Sequence, residues 1–139
     1  MVELTIVLPV LLLLMLGVKE LGRALIRYNT LTKTVQDGAR FASAYALLGT
    51  TGAVNIDAQL RTEIRNLIVY GNTAGSGTPL LGGLQPSHIQ VVDVGGDQIR
   101  VDVSYPYVPL LGPVLPDFGL GSPTPMTFTM QASMSMRAL

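Results

Sequence analysis

Apolar residues run almost without interruption from Leu4 to Leu16, and no charged residue occurs between Glu3 and Lys19. Within those fifteen positions only Thr5, Pro9 and Gly17 depart from the apolar pattern. Beyond them the pattern changes rather than stops. Val18, Leu21, Leu25, Tyr28, Leu31 and Val35 recur at spacings of three or four, with Lys19, Glu20, Arg23 and Arg27 between them. That periodicity predicts one helix, hydrophobic all round at its start and amphipathic afterwards, reaching about Leu48. A bilayer span takes about 20 apolar residues, so the apolar run is short, and the helix is expected to meet lipid first and other helices later. Pro9 lacks the N–H that would bond the Thr5 carbonyl, and a kink or loosened turn is expected there. Glu20 with Arg23 and Asp37 with Arg40 are i,i+3 pairs of opposite sign. Gly38, Ala42 and Ala46 place small residues on one face, which suits either a second backbone at close range or a sheet of the chain's own head.

Helix breakers cluster at Gly49, Thr50, Thr51 and Gly52. A second helix is predicted after Asp57, a natural N-cap, with Leu60, Ile64, Leu67 and Ile68 on one face and Gly71 at its end. Five glycines and two prolines between 71 and 86 read as an exposed loop. Ile89 and Val91, a Gly95-Gly96 turn, and the alternation of Ile99, Val101, Val103 and Tyr105 with polar residues give a hairpin. Pro106, Pro109, Gly112, Pro113 and Pro116 predict an irregular connection over 106 to 116. Met126, Phe128 and Met130 then open a last strand that extends toward Met136. The expected fold is α+β: a long N-terminal hydrophobic helix packed on a small antiparallel sheet of three or four strands. Residues 1–48 form the stem, with 24–48 shared with the head, and 49–139 form the head.

The 139 residues make one domain the default. Formal charge is zero and no basic tract is present, so nucleic acid is not an expected partner. The absence of cysteine excludes disulfides and thiolate sites. No catalytic residue is assigned, because His88 is the single histidine and neither a Gly-x-Ser-x-Gly elbow nor a Cys/His pair occurs. No cofactor is expected either: the glycine-rich stretch from Gly71 to Gly83 follows a helix and lacks a lysine. Asp93, Asp97 and Asp102 could approach one another around the Gly95-Gly96 turn and hold a hard cation such as calcium, although turn chemistry explains Asp97 equally well. Tyr28, Phe41 and Tyr45 on the stem read as packing residues.

A secretory signal would place basic residues before its apolar core and small residues after it. Here the basic residues follow, at Lys19, Arg23, Arg27 and Lys33. The positive-inside tendency would then leave the head in the cytoplasm, whereas removal of a basic leader preceding this sequence would reverse that, so processing is expected.

Val2-Glu3-Leu4 running into Val7-Leu8-Pro9, then the leucine run, Gly17-Val18-Lys19-Glu20-Leu21-Gly22-Arg23-Ala24, Tyr28-Asn29 and Gln36-Asp37-Gly38-Ala39-Arg40 resemble the TadE-like pilins. These are type IV pilin relatives of tight-adherence (Tad, or Flp) systems, and the resemblance covers about the first 45 residues. It implies a precursor in the inner membrane whose leader is cut by a prepilin peptidase, and which the inner-membrane assembly machinery then builds into an extracellular filament of identical copies. It also implies that Glu3 pairs with a neighbouring subunit's terminal amine, although the family places that glutamate fifth and here it is third. Leu4, Leu8, Leu11, Leu12, Leu13 and Leu14 would form the anchor and filament core, with Pro9 as the flexible point. Arg23, Arg27, Asp37 and Arg40 are further candidates for contacts between subunits. Two other readings compete. One is a non-polymerising, membrane-anchored accessory protein, such as a minor pilin or pseudopilin. The other is an anchored binding domain using loops 71–86 and 106–125.

Overall fold

A computed structural model describes residues 2–47, 52–115 and 121–139. The helix α1, Val2–Tyr45, is 44 residues long and passes through Pro9 without a break. It ends before the expected Leu48 because the chain turns at Ala46 and Leu47 bridges Val54. Leu48, the expected end of the stem, and the breakers Gly49, Thr50 and Thr51 lie outside the described residues, as does Pro116.

Helix α2, Ala58–Tyr70, starts and stops where its sequence directs. The Asp57 carboxylate accepts from the Leu60 N–H at 2.7 Å, and Gly71 closes the helix in the left-handed region at φ 76°. Replacing Asp57 with alanine is expected to cost about 1 kcal/mol. Thermal unfolding of the full chain in detergent, followed by circular dichroism, checks this.

The sheet has the order β1-β2-β5, all antiparallel, with β1 Ile89–Gly95, β2 Gln98–Tyr107 and β5 Phe128–Arg137. A separate two-stranded ribbon pairs β3, Val114–Leu115, with β4, Thr124–Pro125. The hairpin turn lies one residue later than the sequence reading, on Gly96 and Asp97, whose φ angles of 63° and 60° are those of a type I′ turn. The chain is also more regular than expected after Tyr105. β2 continues through Pro106 to Tyr107, which pairs with Phe128. Pairing with β1 stops at Val103, so beyond it β2 has a free edge where a missing N–H is tolerated.

Ile99, Val101, Val103, Tyr105 and Tyr107 of β2 all face inward and are almost fully buried. Leu31, Val35, Ala39 and Ala42 of α1 and Ile64 and Ile68 of α2 join them in the core. At Gly38 the small-residue face of α1 receives α2: a Cβ there would stand 2.5 Å from Ile68 Cγ1. The 71–86 stretch is less exposed than its glycines suggest. Leu81 and Leu84 are buried, and Asn72 fastens the loop by donating to the Ser76 carbonyl at 2.8 Å.

Candidate functional site: the stem and its junction with the head

Two regions of α1 behave differently. In the first, apolar side chains point into open space: Leu4, Leu8, Leu11, Leu12 and Leu14 are each more than half exposed, Leu13 is half-buried, and Glu3 and Pro9 are exposed. Burying one such leucine is worth about 1.5–3 kcal/mol, so an uncovered row of them is strongly driven to find lipid or protein. The helix is long and apolar enough to cross a membrane.

In the second region, from Glu20 onward, the stem is locked to the head. Glu20 is only 8% exposed. Its carboxylate accepts from the Tyr107 hydroxyl and from the Leu110 N–H, which lies 3.3 Å from both oxygens. A buried carboxylate is costly unless hydrogen-bonded, and these two donors meet that requirement. Two helical turns further on, Arg27 lies over the Tyr107 ring at 5.4 Å and donates to the Tyr105 hydroxyl at 3.0 Å. Tyr105 in turn donates to the Gly82 carbonyl at 2.8 Å. Glu20 and Arg27 share a helix face, and Tyr105 and Tyr107 share the inward face of β2, so one side-chain network joins stem, sheet and loop.

This network departs from the sequence expectation at two points. Glu20 turns to the head rather than to Arg23, and Arg27, expected between subunits, is engaged within the chain. Arg23 is half-buried beside them. The sequence does not single out Glu20, because Arg23 stands within reach as an i,i+3 partner. The available signals were its seven-residue spacing to Arg27 and the two tyrosines at alternate positions of β2.

Tyr107 carries the electrostatic consequence. Burial raises its hydroxyl pKa above the usual phenol value, and donation to Glu20 and the charge of that carboxylate push the same way, against the pull of Arg27 and Arg23. A raised phenol pKa stabilises the fold with the proton on. Its contribution is complete below about pH 10 and is lost as pH rises through the shifted value. Stability of the full chain in detergent is therefore expected to fall more steeply above that pH than that of a Tyr107→Phe variant. Equal slopes in alkaline denaturation would contradict the assignment.

The remaining candidates are scattered. Asp37 and Arg40 are exposed, and among the described residues the ion pairs are Arg100–Asp102 and Arg137–Asp97. The three aspartates do not converge. The hairpin register sets Asp93 opposite Ile99 and Asp102 opposite Gln90, which puts them on opposite faces of the sheet. Asp93 accepts from the Gly95 N–H at 2.9 Å, Asp97 sits in the turn, and Asp102 binds Arg100 and Ser133. His88 accepts from the Gln85 N–H through Nδ1 at 3.2 Å and closes a short 3₁₀ turn. Phe41 and Tyr45 stack at 4.5 Å.

Residues 1–40 match the family model described as TadE-like protein. The match covers the exposed run and most of the helix that carries the junction, and it stops before α2 and the sheet. No curated protein and no solved structure matches the chain.

Proposed function

We propose that this protein, TadE-like over its first 40 residues, is a structural pilin that polymerises through its N-terminal helix into a Tad-type pilus for surface attachment. The observation that carries this reading is the uncovered apolar run beside a stem locked to a folded head. Such a subunit can lie in the inner membrane as a precursor and then exchange lipid for the stems of neighbouring copies without unfolding. A prepilin peptidase and the inner-membrane assembly machinery are the partners this route requires. Glu3, exposed in the single chain, is the charge partner for a neighbour's terminal amine, since a carboxylate entering an apolar bundle needs a counter-charge. The protein supplies no catalysis of its own.

One observation favours a second reading, a non-polymerising anchored accessory protein. The close-approach face at Gly38 is already filled by Ile68 and Ile64, so it offers no close approach to the helix of a neighbouring copy. Shearing the surface of expressing cells separates the two. Filaments containing this chain are expected, whereas a chain confined to the membrane fraction would replace the pilin reading with the accessory one.

A further inference from the structure

We propose that the end of the head nearest the apolar run rests in the headgroup layer of the bilayer before assembly. Val108, Leu110 and Phe128 are its contact residues, and Lys19 and Arg23 meet anionic headgroups. The proposal rests on the reading of the stem as a membrane anchor and adds where the head stands relative to the lipid.

The position follows from the junction. The Leu110 N–H is bonded to Glu20, one residue past Lys19, where the charge-free stretch ends. Pro109, Met126 and Phe128 share with Gly17, Glu20, Leu21 and Ala24 an apolar groove of about 220 Å³. This rim of the head therefore stands at the level where the stem leaves the hydrocarbon.

Its surface suits that level. Val108, Leu110 and Phe128 are 55%, 63% and 51% exposed, an apolar rim that the head itself does not cover. Charge agrees with an anionic partner. From Val103 to Leu139 the sequence has one acidic residue, Asp117, and the Glu20 carboxylate is turned inward to Tyr107 and Leu110. Lys19 is exposed and Arg23 half-buried on the adjoining turn, and both stems are long enough to carry their charge to phosphates.

Length supplies the driving force. Leu4 to Val18, bounded by Glu3 and Lys19, spans about 22 Å at 1.5 Å per residue, against a hydrocarbon core of about 30 Å. A span that short thins the bilayer or draws its flanking residues down. Here the flanking residues include an apolar rim, so the mismatch is relieved by seating the head.

The chain has no cysteine, so single cysteines at Leu12, Leu110 and Ser104 can each carry the one fluorophore of the full chain. In vesicles of phosphatidylcholine and phosphatidylglycerol, bromines near the middle of the acyl chains are expected to quench the label at Leu12. Bromines near the headgroups should quench the label at Leu110, which iodide in the water should reach several-fold less than the label at Ser104, on the open face of the sheet. Omitting phosphatidylglycerol should weaken the Leu110 signal several-fold. Deep quenching at Leu12 with Leu110 as open to iodide as Ser104 would overturn the seating while leaving the anchor intact. Absence of deep quenching at Leu12 would overturn both. Protection of Leu110 without lipid quenching, rising with protein density, would assign the rim to a second copy and overturn the proposal.

Discussion

Replacing Gly38 with valine is expected to destabilise the fold by about 2–3 kcal/mol, and to lower its melting temperature by roughly 10 °C or more. The cause is local. The space a Cβ would enter is already held by Ile68 Cγ1 and Cδ1 at 2.5 and 2.6 Å, with Ile64 Cγ2 at 3.7 Å. Ile68 and Ile64 are both fully buried, so neither can swing aside into solvent. Alanine at the same position meets the same first atom but regains up to about 1 kcal/mol of helix propensity, and should cost less than valine. Combining Gly38→Val with Ile68→Ala should cost less than the sum of the two single changes, because the second makes room for the first. Thermal melts of the four chains in detergent decide the matter. Strict additivity would mean that α1 and α2 do not pack as described.

Leu12→Asp is expected to abolish stable membrane insertion while leaving the head unaffected. Leu12 lies near the middle of the charge-free stretch, more than half exposed and far along α1 from the junction at Glu20. Exchanging leucine for aspartate at the centre of a span costs about 3–4 kcal/mol, which a run of only fifteen residues cannot spare. After alkaline extraction of membranes the variant should appear in the supernatant, and the parent chain and Leu12→Val in the pellet. The melt of the variant in detergent should match that of the parent. Retention of the aspartate variant in the pellet would refute the anchor.

Much of this architecture is written in short-range patterns. The change from continuous apolar residues to a spacing of three or four forecasts α1, and Asp57 and Gly71 mark both ends of α2. The alternation from Ile99 to Tyr105 forecasts β2 and its inward face. The features that local pattern does not carry depend on residues distant in sequence. Pro106 is tolerated because β1 ends its pairing at Val103, a fact about a different strand. Leu81 and Leu84 are buried in a stretch whose glycines signal a loop, since a loop can run across a core and contribute to it. At Gly38 the sequence allows several occupants, and the position of α2 selects one. Glu20 is the clearest case. Its neighbours suggest a surface pair with Arg23, yet its partners are 87 and 90 residues away. The apolar run is legible directly, because its exposure follows from composition alone and needs no contact within the chain.

The central claim is that the same exposed run serves first as a lipid anchor and then as a contact between copies. The most direct measurement places a photo-crosslinking residue at Leu12 and irradiates membranes and sheared surface material from the same cells. Lipid adducts in the membranes and adducts of one chain to another in the sheared material are the predicted result. Lipid adducts in the membranes with no chain-to-chain adduct in sheared material would contradict it.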